Sequence, residues 1–167
     1  MENRNYPKYV SAIGQDSHRF TAETEGKPLK LGGVVIDGAP GLDGNSDADV
    51  ILHALTNAIS GLTGIPVLGA AADTICAAGN TDSAAYLAVA LEDLAATPWQ
   101  LTFVSFTIQA KRPKLLGEFP RISASVADLL GLPEHCVTMT ATTGEGLTAC
   151  GRGEGIEVFC IVSAVAP

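Results

Sequence analysis

The sequence predicts an α/β (α+β) domain, a mixed β-sheet with helices packed on one face. Three observations predict it. Apolar residues recur every three to four positions in some stretches and alternate or cluster with β-branched and aromatic residues in others, so both helical and strand periods are present. Strand-like and helix-like stretches alternate along the chain with at least two crossovers, the pattern of a sheet covered by helices. Hydrophobic residues make up 47% of the 167 and aromatics only 5%, so the core must be built of Ala, Val, Leu and Ile. No repeat or low-complexity linker divides residues 1–167, and a chain of this length buries a core as one domain.

Taken in order, Tyr9–Gln15 alternates like a strand and delivers Asp16 and His18 at its end. With a side-chain period of two, those residues point the same way if the strand continues. Arg19–Lys30 is polar and reads as a loop, Leu31–Ile36 as a second strand, and DGAPGLDG as turns. In Asn45–Leu62, Val50, Leu52, Ala54, Leu55, Ala58, Ile59 and Leu62 mark the buried face of a helix. Ser46 is positioned to cap it, with Asp49 completing a capping-box-like arrangement. His53 sits within the apolar run, four residues after Asp49 and on the same helix face. A histidine there needs a partner, and Gln15-Asp16-Ser17-His18 offers one.

The stretch 63–82 lacks a strong pattern and reads as a long loop, a lid or substrate-facing wall. Asp82 or Ser83 caps a helix over Ala84–Ala96, which Thr97-Pro98 stops. Leu101–Ala110 is a strand, Lys111–Lys114 a basic turn, and Pro120–Leu130 a helix ending at Gly131. Val137–Ala141 is a short strand, 142–155 a glycine-rich loop, and Ile156–Val165 the closing strand.

Formal net charge is −8, which argues against nucleic acid or an anionic membrane surface as the main partner. A small phosphorylated ligand stays compatible with it, because metals and backbone amides overcome the global sign locally. The N-terminal MENRNYPK lacks the apolar core of a signal peptide, and no apolar run approaches a membrane span, so the sequence reads as cytoplasmic. Cys76, Cys136, Cys150 and Cys160 have no metal-ribbon spacing and read as reduced, mostly buried thiols.

Three constellations could carry chemistry. Asp16-x-His18 with His53 supplies two ligands from a strand end and one from a helix, a set that leaves a tetrahedral metal one open position. By spacing alone the signal is weak, because a lone histidine on an apolar helix is more often a satisfied core group. In Thr142-Thr143-Gly144-Glu145-Gly146, adjacent hydroxyls and a carboxylate suit phosphate oxygens and a hard divalent cation, or form an ordinary turn. Arg152, in Gly151–Gly155, makes either an ion-paired turn or an anion site. Lys111-Arg112-Pro113-Lys114 is either a solvated turn or a phosphate clamp.

GQDSHRF, LGGV, SDADVILHALTNAI, the DT and DS of the patternless stretch, RPKLL, TTGEGL and GRGEGI follow in an order that resembles the 2-C-methyl-D-erythritol 2,4-cyclodiphosphate synthase family, from about Val10 to Val165. The resemblance implies a homotrimer with active sites between subunits. It implies zinc on Asp16, His18 and His53, and a second cation, magnesium or manganese, on Glu145. Thr143 is then matched to a diphosphate contact, and Ala110–Leu116, with Pro113 and Lys114, to a cytosine pocket. Asp73 corresponds to an aspartate that holds the methylerythritol hydroxyls. Thr143, Glu145 and Asp73 are thereby the expected catalytic residues. Asn45, Ser46, Asp73, Ala110, Pro113, Lys114, Thr142, Thr143 and Arg152 are the expected substrate contacts. In the family a substrate phosphate attacks the β-phosphorus and CMP leaves.

The chain departs from the family pattern around the substrate. The family's H-S-D-G-D reads Asn45-Ser46-Asp47-Ala48-Asp49, and its ribose-binding G-D-I-G falls on Ile65-Pro66-Val67-Leu68. F-P-D-T-D reads Ala71-Ala72-Asp73-Thr74-Ile75, and a lysine is replaced by Gly146. Losing a hydroxyl-reading acid at Pro66 costs about 1–3 kcal/mol of transition-state binding. Two readings follow: a cyclase with an altered pocket, or a paralogue that keeps the zinc site and binds another phosphorylated ligand.

Overall fold

The computed structural model describes residues 8–22 and 25–166. The N-terminal MENRNYPK, expected above to lack a signal-peptide core, therefore lies outside the described residues except for Lys8.

Four strands form a mixed sheet in the order β1-β6-β4-β5, with β1 at Tyr9–Arg19, β4 at Gln100–Gln109, β5 at Val137–Thr142 and β6 at Gly155–Val165. β6 runs antiparallel to both β1 and β4, and β4 and β5 are parallel. The pairs His18–Ile156, Gln109–Glu157 and Gln109–Thr142 bring the carboxyl ends of β1, β4 and β5 together at one end of the sheet.

Strict alternation divides the two faces of the sheet. Val104, Phe106 and Ile108 of β4 and Ile156, Val158, Cys160, Val162 and Ala164 of β6 are buried beneath the helices. Tyr9, Ile13, Phe103, Phe159, Ile161 and Val165 stand exposed on the opposite face. Helix α1, Val50–Thr63, lies on the covered face against β1 and β6, and α3, Ser83–Ala95, packs against α1. α4, Phe119–Leu130, flanks β5 and ends at Gly131 as expected. The expected layering, one mixed sheet with helices on one face, is what the chain adopts.

β1 meets α1 at unusually short range. A Cβ on Gly14 would stand 2.1 Å from the Ala54 carbonyl oxygen and 2.3 Å from the Ala58 nitrogen, so the strand backbone rests directly on the helix backbone. No side chain separates them, and everything that follows on β1 is held close to α1.

Four local expectations need correction. Leu31–Ile36 is not one strand. Gly32 and Gly33, at φ 61° and 81°, turn the chain, and β2 (Pro28–Leu31) pairs with β3 (Val34–Pro40) as a hairpin. Positive φ at consecutive residues suits glycine, which has no Cβ to clash. Nor is the stretch 63–82 irregular throughout, because Ala70–Ala77 forms helix α2. Asp49, not Ser46, caps α1, its carboxylate accepting from the Leu52 amide at 3.1 Å. The same carboxylate accepts from Gly32 N at 2.8 Å and Gly33 N at 2.6 Å, so it ties the hairpin turn to the helix start and turns away from His53. All four cysteines are free, but only Cys160 is buried and the other three are half-buried.

Candidate metal centre

β1 continues through Asp16 and His18 to Arg19, so its alternation aims both residues at the covered face, in phase with Gly14. α1 presents His53 from the residue next to Ala54, where strand and helix touch. Asp16 Oδ2 lies 2.9 Å from His53 Nδ1 and 3.0 Å from His18 Nε2, and the two ring nitrogens are 3.2 Å apart. Three ligands at the usual metal–nitrogen and metal–oxygen distances of about 2.0–2.1 Å around a tetrahedral ion stand about 3.3 Å from each other. The observed triangle fits that figure, and its chemistry, two imidazoles and one carboxylate, fits a divalent metal. Asp16, His18 and His53 could hold such an ion and leave it an open position.

The ring of His18 is oriented for that task. Its Nδ1 lies 2.6 Å from the Asp43 carbonyl oxygen, which only accepts, so Nδ1 carries a proton and Nε2 faces the centre. Burial alone would raise the Asp16 carboxyl, but the hydrogen bonds and charge of His18 and His53 hold it well below the usual carboxylate range. In turn the hydrogen bond to Asp16 raises His18, against the opposing effect of burial.

A cleft of about 260 Å³ opens over the triad, walled by Asn45, Ser46, Leu68, Asp73, Cys76 and Tyr86 among others. α2, the helix missed in the sequence, supplies Asp73 and Cys76 to this wall. The Cys76 thiol donates to the Asn45 carbonyl oxygen at 3.3 Å, which ties α2 to the loop before α1.

A second cleft, of about 210 Å³, lies where β4 and β5 end and is lined by Ala110, Lys111, Pro113, Lys114, Leu115, Leu116, Ala141, Thr142 and Thr143. Ala110 N donates to the Thr142 oxygen at 3.0 Å, which holds its two sides together. Beside it, Glu145 takes a left-handed conformation at φ 49° and accepts from the Thr143 hydroxyl at 2.7 Å. Arg112 lies over the Phe20 ring, 4.7 Å from its centroid. Arg152 is paired with Glu154 at 2.9 Å, so within this subunit its turn is the ion-paired one.

Thus Asp16, His18, His53, Asn45, Ser46 and Asp73 share one cleft, and Ala110, Pro113, Lys114, Thr142 and Thr143 share another. Glu145 and Arg152 line neither. β1 and β5 are the two edges of the sheet, three strand spacings or about 14 Å apart. Sequence reasoning missed Ser83 as a site residue. Its place in the sequence suggests only an alternative helix cap, but its hydroxyl contacts His53. The cap is Asp82, whose carboxylate accepts from Ala84 N at 3.0 Å.

The YgbB family profile matches residues 9–165. This chain belongs to the YgbB family. A curated relative, the 2-C-methyl-D-erythritol 2,4-cyclodiphosphate synthase of Chlamydia trachomatis serovar A, is 43% identical over 156 residues, covering 93% of this chain and 87% of the relative. Among solved structures, the bifunctional IspDF from Campylobacter jejuni superposes with a TM-score of 0.85 at 31% identity. That match covers 95% of this chain, which spans only 42% of the bifunctional protein. A 2C-methyl-D-erythritol-2,4-cyclodiphosphate synthase in its CDP-bound form matches with a TM-score of 0.79 at 26% identity, covering 93% of this chain and 99% of that one. No helix among the described residues is long and apolar enough to cross a membrane.

Proposed function

We propose that this YgbB-family chain is a metal-dependent cyclase, converting 4-diphosphocytidyl-2-C-methyl-D-erythritol 2-phosphate into 2-C-methyl-D-erythritol 2,4-cyclodiphosphate and CMP in the cytoplasm. The observation that carries this reading is the convergence of Asp16, His18 and His53, three metal-ligating atoms about 3 Å apart, beneath an open cleft. Asp16, His18 and His53 would hold zinc, and Glu145, together with the substrate's phosphates, would hold magnesium or manganese. When bound, these cations draw charge from the phosphate oxygens and so ease attack on phosphorus.

The chain's own residues bind and orient. The substrate supplies its own nucleophile: an oxygen of the 2-phosphate bonds to the β-phosphorus, and the bond from that phosphorus to the oxygen bridging it to CMP breaks. No side-chain nucleophile is needed, so positioning and charge neutralisation do the work. Asp73, exposed on the wall of the first cleft, accepts hydrogen bonds from the methylerythritol hydroxyls. Asn45 and Ser46 face the phosphates beside the triad. Thr143 exchanges its bond to Glu145 for one to the diphosphate, with Thr142 beside it, and Arg152 reinforces the positive field. Ala110, Pro113 and Lys114 hold the cytosine. Pro66 offers no carboxylate to the ribose, so backbone groups of the Ala110–Leu116 segment carry more of the nucleotide's binding.

Two observations support a homotrimer with sites between subunits. The metal triad stands over the β1 edge of the sheet, whereas the cytosine cleft lies at the ends of β4 and β5, on the far side of β6. The uncovered sheet face also carries Tyr9, Ile13, Phe103, Phe159 and Ile161, an apolar surface suited to burial against further copies. A phosphorus NMR time course with zinc, magnesium and the proposed substrate tests the reading, with His53→Ala as control. Growth of cyclic diphosphate and CMP signals, absent in the control, is expected. No turnover by protein with zinc demonstrably bound would overturn the cyclase in favour of a paralogue with another phosphorylated ligand.

A further inference from the structure

His53 has a second nitrogen, and what it touches is as specific as the triad itself. Its Nε2 lies 2.9 Å from the Ser83 hydroxyl oxygen. That hydroxyl makes a short hydrogen bond to Asp47 Oδ1. The Ser83 amide donates to the same oxygen at 3.2 Å, and Lys30 Nζ donates to Asp47 Oδ2 at 3.0 Å. Ser83 is wholly buried and His53 nearly so, so water does not complete these bonds. Burial works to raise the Asp47 carboxyl, but the bonds from Ser83 and Lys30 bring it below its ordinary value, so it stays ionised at neutral pH.

Counting protons along this chain leaves one arrangement for a metal-bound His53. An ionised Asp47 has no proton to give, so the single Ser83 hydroxyl proton points at Asp47. The Ser83 oxygen can then only accept, and His53 Nε2 must be the donor. When a metal takes the place of the Nδ1 proton that His53 otherwise shares with Asp16, the imidazole keeps its one proton on Nε2, and the Nδ1 lone pair faces the centre between Asp16 and His18. The hydroxyl is not occupied with capping α3, because Asp82 does that. Asp47, in turn, is fixed by the Asp49 amide at 3.3 Å and by Lys30, which also reaches Asp82 at 3.2 Å.

We propose that Ser83, backed by Asp47 and Lys30, is a positioning residue for the metal: it locks His53 in the tautomer that presents its Nδ1 lone pair and strengthens that nitrogen as a ligand. The inference rests on the reading of Asp16, His18 and His53 as a metal site. Outer partners of this kind typically contribute 10–100-fold to metal affinity.

The test is zinc affinity by chelator competition for the wild type, Ser83→Ala and Asp47→Asn, with far-UV circular dichroism as the folding check. Nitrogen-15 NMR of the zinc-loaded protein adds the His53 tautomer. Ser83→Ala is expected to weaken zinc binding by about 10–100-fold and to lose the slowly exchanging Nε2 proton of His53. Asp47→Asn, which leaves the hydroxyl in place but removes the charge that takes its proton, is expected to act in the same direction by less. Equal zinc affinity in wild type and Ser83→Ala overturns this inference and leaves the metal reading standing. A wild type that binds no zinc overturns the metal reading and this inference with it.

Discussion

Replacing Gly14 by alanine adds one methyl group far from His53 in sequence but next to it in space, because Gly14 rests on the backbone of Ala54 and Ala58. The added Cβ would lie 2.1 Å from the Ala54 carbonyl oxygen, where real Cβ contacts stay beyond about 3 Å, and the opposing atoms are helix backbone that no rotamer change can clear. Strand and helix must therefore part by about 1 Å. His53 is the neighbour of Ala54, and Asp16 is two residues beyond Gly14, so the parting opens the triad itself. Metal sites tolerate about ±0.2 Å in their bond lengths, several times less than this displacement. The expected result is a stability loss of about 1–3 kcal/mol, the usual range for overpacking. For a chain of this size each kcal/mol lowers Tm by about 2–4 °C. Zinc affinity should fall at least about tenfold, the lower end of what a lost outer partner costs. Gly61→Ala is the graded control, since its Cβ would meet the Ala12 methyl at 3.1 Å and needs a much smaller adjustment. Calorimetric melting and chelator competition measure both effects. A Gly14→Ala protein with wild-type Tm and wild-type zinc affinity would refute the claim that this contact sets the spacing of the triad.

Two further outcomes follow from other parts of the fold. Burial pushes the Asp49 carboxyl up to about 6 from its ordinary 3.8, against three backbone amides that pull it down. The folded chain then holds this proton more readily than the unfolded one. Its contribution is fully present below about pH 4 and lost as pH rises through about 6. Urea unfolding across pH 4–7 should give Asp49→Asn a flatter profile than wild type over that window, and parallel profiles would count against it. On the bare sheet face, Ile13 and Ile161 are cross-strand partners, 64% and 48% exposed. If the proposed trimer buries this face, Ile161→Asp should shift sedimentation toward the monomer while leaving the triad's metal site formed, and an unchanged sedimentation coefficient would remove this face from the proposed interface.

The centre of the site was legible because two periodicities intersect there. A strand's period of two puts Asp16 and His18 on one face whatever else the chain does, and an apolar helical run with one histidine calls for a polar partner. Less local features were not legible. Leu31–Ile36 reads as one apolar run, and only the backbone at Gly32-Gly33 reveals the turn. α2 consists of Ala, Asp, Thr, Ile and Cys without an apolar stripe, and Gly69 before it offers no side-chain cap, so neither usual helix signal is present. The sequence places Asp49 in a capping box on His53's face, and its pull toward the hairpin stays hidden because it depends on a contact 16–17 residues away. Ser83 follows a good capping aspartate and so already had a local explanation. Its contact with His53, across 30 positions, exists only in the folded chain.

The distance between the two clefts bears on inheritance as well as chemistry. On the proposed three-fold arrangement, each working centre takes its metal half from one subunit and its nucleotide half from the next. A polypeptide damaged at His53 and another damaged at Thr143 are each inactive alone. A mixed trimer that contains both pairs an intact triad with an intact neighbouring cleft at one of its three junctions. Two defective alleles can therefore complement each other in one cell, and neither behaves as a simple null.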